Sequence, residues 1–489
     1  CASNAPVAAP APAVTTPLTK APPCAGGSDK IAAPRGTSAK RDNHAPTRRV
    51  SKHTTGTPML DKLFQLKAHG TTARTETIAG ITTFLTMAYI IFVNPNVLAK
   101  AGMDHGAVFV ATCLAAAIGC FIMGFLANLP VALAPGMGLN AFFTYTVVLQ
   151  LGHSWQTALA CVFLSGVLFI LISLFRIREW LINAIPNALK KAIAAGIGGF
   201  LAFIALQSAG IIVDADGVLV KMGSIISFAP LMTALCLLLI IAFIHYRVPG
   251  SVMLAILIVS ALGVLFHNQP LPPSLIATPP SLAPTFMQMD FRSALDPAMY
   301  SIIFAFFFVD LFDTAGTLIG VTERGGLVRD GKIPNLKKAL LADSSATVIG
   351  AVLGTSNTTS FIESASGVAV GGRTGLMAVV VGILFLLATF LSPLAQMVPG
   401  YATAGAILYV SVLMMYTVGE IDWHDLTEAA PVAITFLTIP LTYSIADGIT
   451  LGFISYAIIK LVCGRYRELN IGVLTLAAIL LFRLIWVHG

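Results

Sequence analysis

Residues 304–321 read FAFFFVDLFDTAGTLIGV, a strongly apolar run with Asp310 and Asp313 set into it. At a helical period the two carboxylates lie three residues apart on one face, and Thr314 and Thr317 extend the same polar stripe. Such a stripe cannot face lipid, because a single Asp at the centre of a membrane helix costs roughly 2.5–3.5 kcal/mol on insertion scales. Two of them require an aqueous cavity, a partner or a substrate. Gly316 and Gly320 form a small-xxx-small pair that would let another helix approach closely. The segment is therefore expected to be a helix buried in a bundle, with its acidic stripe turned toward a site.

Composition agrees. Of 489 residues, 56% are hydrophobic and only 10% charged, and the mean hydropathy is +0.86, whereas about a quarter of the residues of a soluble domain carry charge. The chain reads as an all-α polytopic membrane protein. Its seven cysteines show no metal spacing and read as small core residues, so no metal and no cofactor is expected. The net charge of +7 sits mostly in residues 1–58, where eight Lys/Arg face Asp29 and Asp42. That stretch, rich in Ala, Pro and Thr, is expected to be a disordered basic tail, and the near-neutral remainder gives no sign of nucleic-acid binding.

Fifteen apolar segments follow, from 77–98 to 470–487, most close to the roughly 20 residues a spanning helix needs. Residues 177–190 read as an interfacial amphipathic connection. Lys62, Lys67, Arg74, Arg176, Arg178, Lys190, Lys191, Arg247, Arg324, Arg329, Lys337, Lys338, Lys460 and Arg465 all fall on one side if the N-terminus is cytoplasmic. The fifteenth segment spoils an even count: either it crosses, or the short spans around Ala446-Asp447-Gly448 are partial helices.

The long connection after the seventh span suggests two halves of seven, and an odd number per half relates them by an inverted repeat. The third span of the first half, LPVALAPGMGLNAFFTY, is interrupted by Pro130, Pro135, Gly136 and Gly138. Its counterpart, TSNTTSFIESASGVAVGGRTG, is interrupted by Gly367, Gly371 and Gly372. Paired Gly/Pro breaks at corresponding places point to a midplane substrate site formed by discontinuous third and tenth segments. Each break carries a polar residue, Asn140 and Glu363. With Asp310 and Asp313 they make an acceptor-rich site that disfavours anions and suits a neutral or cationic solute bearing N–H donors.

A carboxyl group in low dielectric is a candidate proton carrier, which makes proton coupling an expectation. The plainer alternative is that Asp310 or Asp313 only pairs within the bundle. Phe142 and Phe143 beside Asn140 either stack on a flat ring or pack, and Tyr89 and Asn94-Pro95 are ambiguous in the same way. Asp422, Asp425 and Glu428 read as a solvated loop, and His153 and His424 as interfacial.

The stretches ITTFLTMAYIIFVNP, NLPVALAPGMGLNAFF, DLFDTAGTLIGV, FIESASGVAVGGRTGL and LSPLAQMVPGYATAGA, in that order, resemble the AzgA-like purine permeases from about Leu60 to the C-terminus. The resemblance implies a uracil/xanthine permease fold of about 14 transmembrane segments in a 7+7 inverted repeat, with core and gate domains. Core parts are then expected at 59–176 and 298–399, and gate parts at 177–297 and 400–489. It implies proton-coupled uptake of purine nucleobases by alternating access through the cytoplasmic (inner) membrane, adenine favoured over guanine and hypoxanthine, and a possible homodimer through the gate. The family's site positions fall on Gly138, Asn140, Asp310, Asp313 and Glu363. Asp310, Glu363, Asn140 and Gly138 are then expected to bind the base and Asp313 and Glu363 to serve proton coupling or support; the residue reading adds Phe142 to the first group and Thr314 to the second. Two rivals are an anion transporter of the same fold, which the carboxylates disfavour, and an intramembrane aspartyl protease, whose GxGD sequence is absent.

Overall fold

The computed structural model describes residues 58–174, 186–215, 217–267, 274–328 and 333–488. All of the expected 1–58 tail except Pro58, the greater part of the 177–190 connection, and Arg176 and Arg329 lie outside them. The regular structure of the described residues is helical, apart from two small two-stranded sheets.

The first half runs through α1 (Pro58–Phe64), α2 (Ala73–Met87), α3 (Ile90–Ala99), α4 (His105–Ile122), strand β1 (Leu133–Pro135), α5 (Met137–Ala141), α6 (Trp155–Leu174) and α7 (Asn187–Ser208). A hairpin of β2 (Ile212–Ala215) and β3 (Val218–Met222) follows, then α8 (Phe228–His245) and α9 (Ser251–His267). The second half runs through α10 (Tyr300–Arg324), α11 (Leu336–Leu353), β4 (Thr358–Ser360), α12 (Ser364–Val370), α13 (Gly375–Ala388), α14 (Gly400–Met415), α15 (Leu426–Leu441), α16 (Ile445–Val462) and α17 (Ile471–His488). Helix starts carry the side chains that satisfy their free N–H groups. Thr72 accepts from Thr75 N, Asp104 from Ala107 N and Asp425 from Thr427 N.

Nine helices among the described residues are long and apolar enough to cross a membrane, and three more are shorter but apolar. The two broken segments and α11, which carries Lys337, Lys338 and Asp343, fall outside both groups. The fifteenth apolar segment is a separate helix, α17, lying against α16.

Packing makes the internal symmetry visible. In the first half α4 lies against α13 and in the second α11 lies against α6, so the second and fourth segments exchange partners. Helix α2 pairs with α13 as α10 pairs with α6, and α7 pairs with α15 as α14 pairs with α8. Elements on the symmetry axis meet their own counterparts: α4 with α11, α7 with α14, and β1 with β4. This is the expected inverted repeat. Lipid is as apolar as Leu, so cohesion comes from packing and internal hydrogen bonds. Phe142 packs edge-on against Phe306 at 4.9 Å and Phe169 against Phe307 at 5.8 Å, all four buried.

Three expectations are corrected. Among the described residues no atom of another element lies within 4 Å of where a Cβ on Gly316 would sit, so no neighbouring helix packs there, and a Cβ on Gly320 would meet only the tip of Ile362. The break near the C-terminus falls at 442–444, and Ala446-Asp447-Gly448 forms the first turn of α16, where Ser444 accepts from Asp447 N. Asp425 and Glu428 do not sit in a solvated loop. Arg465 pairs with Asp425 at 2.5 Å and Glu468 at 2.6 Å, while fully buried Lys460 pairs with Glu428 at 2.6 Å and Glu468 at 2.7 Å.

Candidate functional site

The two interrupted segments cross at the centre of the bundle as an antiparallel pair, with Leu133 opposite Ser360, Ala134 opposite Thr359 and Pro135 opposite Thr358. The main chain extends the pairing at both ends, through Gly136 N to the Asn357 carbonyl and Phe361 N to the Ala132 carbonyl, each 2.9 Å. Irregular backbone survives at membrane depth only when satisfied in this way. Gly136 is required here because a Cβ would sit 2.6 Å from Thr359 Cγ2. Helices α5 and α12 leave the pair in opposite directions.

Helix α10 lays its polar stripe against this crossing. Asp310 is 1% exposed, and its Oδ2 accepts from Thr347 Oγ1 at 3.0 Å and Asn357 Nδ2 at 3.1 Å, whereas its Oδ1 is buried without a partner. Thr314 shares a hydrogen bond of 2.8 Å with Thr359. Asp313 is only partly buried, interacts with Thr359 and lies within electrostatic reach of Glu363. Glu363, also partly exposed, accepts from the Tyr89 hydroxyl at 2.7 Å. Tyr89 therefore turns its hydroxyl toward the candidate acids.

A fourth acid went unread. Asp343 of α11 is fully buried, and its Oδ1 accepts from Ser360 Oγ at 3.0 Å while Oδ2 has no partner. It lies one helical turn before Thr347, on the face that Thr347 turns toward Asp310. None of the four acids takes part in an ion pair formed among the described residues.

Asn140 belongs to an adjoining amide and hydroxyl network. Its Oδ1 accepts from Ser356 Oγ and its Nδ2 is buried without a partner. Asn94 donates to Thr112 at 2.7 Å and Thr355 at 2.8 Å, tying the first segment to the same loop. Asp310, Asp313, Thr314, Glu363 and Asn140 therefore all touch β4 or the residues flanking it. Two expected residues also make packing contacts. Phe142 is buried against Phe306, and a Cβ on Gly138 would meet Ile197 of α7 at 2.7 Å, so each is engaged in packing.

The first and tenth segments are also locked together. Buried Glu76 accepts from the main chain of Arg373 at 2.8 Å and Thr374 at 3.3 Å, and Thr86 bonds to Ser366 at 3.0 Å. These contacts fix the α2 face against α12 and so the position of Tyr89 relative to Glu363.

The sequence profile of a permease family, the xanthine/uracil permeases, matches residues 74–451. The adenine permease AdeP of Escherichia coli is 46% identical over 437 residues, which cover 89% of this chain and 98% of that protein. The guanine/hypoxanthine permease PbuG of Bacillus subtilis is also 46% identical, over 84% of this chain and 96% of that protein. Among solved structures, the transmembrane domain of the cyanobacterial bicarbonate transporter BicA superposes with a TM-score of 0.59, covering 78% of this chain and 97% of that one. At 14% identity that likeness speaks for the fold alone.

Proposed function

This chain belongs to the xanthine/uracil permease family, a transporter and not an enzyme, and we propose that it carries purine nucleobases, adenine foremost, inward with protons. Purines suit the site because they offer N–H donors beside ring-nitrogen acceptors. Ionised Glu363 accepts an N–H of the base, and the orphan Nδ2 of Asn140 supplies a donor. Asp313 stands beside Glu363 on the open side, while Asp310 and Asp343 lie sealed behind it. A buried carboxyl oxygen without a partner is satisfied by carrying a proton or by meeting a ligand donor. The sealed pair with its two orphan oxygens is therefore the proposed seat of the coupled proton, with Thr314 and Thr347 as supports.

The observation that carries the reading is the pairing of Glu363, held by Tyr89, with partly exposed Asp313 at the crossing of the broken segments. An anion carrier of the same fold would want positive charge there. Equal identity to AdeP and PbuG does not choose the purine. The preference for adenine rests on APGMGLNAFF with DLFDTAGTLIGV, whose wording resembles the adenine branch.

In this reading segments one to four and eight to eleven form a core that moves against a gate of the rest. The protein sits in the inner membrane with a cytoplasmic N-terminus and pairs through its gates. The test is uptake of radiolabelled adenine, competed by guanine and hypoxanthine, in cells stripped of their own purine permeases. Uptake that is lost in Glu363→Ala and Asp310→Asn and collapses with a protonophore is the expected result. A well-expressed parent that moves none of the three bases refutes the purine assignment.

A further inference from the structure

At the end of the bundle where α3 terminates, an open-mouthed cleft of about 450 Å³ separates the two groups of segments. One wall carries Lys100, Tyr145 and Gln150 from the first and third segments; the other carries Gln207, Ser208 and Tyr443 from the fifth segment and the α15–α16 turn. Three hydrogen bonds cross between the walls. Lys100 Nζ donates to Ser208 Oγ at 2.8 Å, Thr146 Oγ1 to the Tyr443 carbonyl at 2.5 Å, and Gln150 Nε2 to the Thr442 carbonyl at 3.0 Å.

Lys100 also donates to the Tyr145 hydroxyl at 3.0 Å, and its ammonium takes part in none of the ion pairs formed among the described residues. The same ammonium sits 5.4 Å from the centre of the Tyr145 ring. A cation answered by two hydroxyls and a ring face releases without stripping or rehydrating a partner carboxylate, so the clamp can open repeatedly. The surroundings of the acids are packed more loosely. Asp313 and Glu363 are partly exposed, Gly316 borders open space, and Ile319 and Ile362 are 45% and 38% exposed. The structure is thus clamped at the Lys100 end and less closely packed along the second half of α10.

We propose that Lys100, with Thr146 and Gln150, is the latch that holds this end shut and must release for the site to be loaded from that side. Lys100 acts by positioning the two walls and does not touch the substrate. The proposal rests on the alternating-access reading above, but its test needs no purine.

Val147, one residue on from Thr146, is fully buried and reports on opening. Val147→Cys is placed in a chain whose Cys1, Cys24 and Cys463 are replaced by Ser, leaving four buried thiols. It is labelled with a polar maleimide in lipid nanodiscs, where both faces meet the reagent. Loss of a hydrogen bond to a charged group is expected to raise the labelling rate at least about tenfold in Lys100→Met, with Lys100→Arg staying near the parent. Gln150→Leu gives a second reading should Lys100→Met fail to fold. A rate unchanged within about twofold in the folded variants, or fast labelling of the parent itself, overturns the latch. A parent that transports no purine yet becomes reactive on loss of Lys100 removes the substrate assignment and leaves the latch standing.

Discussion

Tyr89→Phe isolates one hydrogen bond at the site. The ring is 1% exposed and its hydroxyl lies 2.7 Å from Glu363 Oε1. Phe fills the same space, so packing is kept and only the O–H is lost. Hydrogen bonds to charged groups contribute about 1.5–3 kcal/mol. Glu363 is partly exposed, and water replaces the lost donor in part, which places the loss near 1.5 kcal/mol. Since 1.4 kcal/mol is tenfold in an equilibrium constant, a carboxylate no longer held in register should bind its purine about tenfold less tightly. The assay is concentration-dependent adenine uptake with surface expression measured in parallel. KM should rise about tenfold with expression unchanged, whereas Tyr89→Ala, which leaves a cavity worth about 3–5 kcal/mol, should reduce the amount of folded protein. A KM for Tyr89→Phe within about twofold of the parent would refute the role given to this bond.

Other outcomes follow from single positions. Gly136→Ala drives a Cβ to 2.6 Å from Thr359 Cγ2 and should abolish uptake while lowering the melting temperature, the overpacking costing about 1–3 kcal/mol. Gly316→Ala meets open space and should leave the melting temperature equal or higher, since Ala favours helix by about 1 kcal/mol. Asp343→Asn should keep expression within about twofold but lose proton-driven uptake; full uptake would remove Asp343 from the mechanism. Arg465 holds the Asp425 carboxyl down at about 2, and Lys460 and Arg465 lower that of Glu468. Depressed carboxylates stabilise the fold above their unfolded range and lose that contribution as pH falls from about 4 toward 2. The purified protein should therefore melt earlier across that window, and Arg465→Gln should show a smaller drop; an equal drop in both would refute it.

The membrane class, the interrupted third and tenth segments and most of the acidic site were legible because each breaks a local rule. Pro135 and Gly136 cannot continue a helix, and Asp310 and Glu363 cannot face lipid. What the sequence hid was long-range. Asp343 follows Lys337 and Lys338 and passes for the ragged start of a span; only the i, i+4 relation to Thr347 ties it to Asp310. The ion cluster of Asp425 and Glu428 looked solvated because its partners, Lys460 and Arg465, arrive over thirty residues later. Gly316 misled because a small residue stands on an uncovered helix face as readily as in a helix contact.

The exchange of partners between the halves also bears on how the chain is made. Helix α6 waits for α11, and α2 and α4 wait for α13, which ends at Ala388, more than two hundred residues after α6 ends at Leu174. At 5–20 residues per second that interval is on the order of 10–40 s. During it the first half stands in the bilayer with Glu76, Asn94 and Asn140 lacking the main-chain and hydroxyl partners that the second half brings. The two repeats therefore complete a shared interior only once both are in the membrane, and insertion machinery or trapped water must shelter those groups until then.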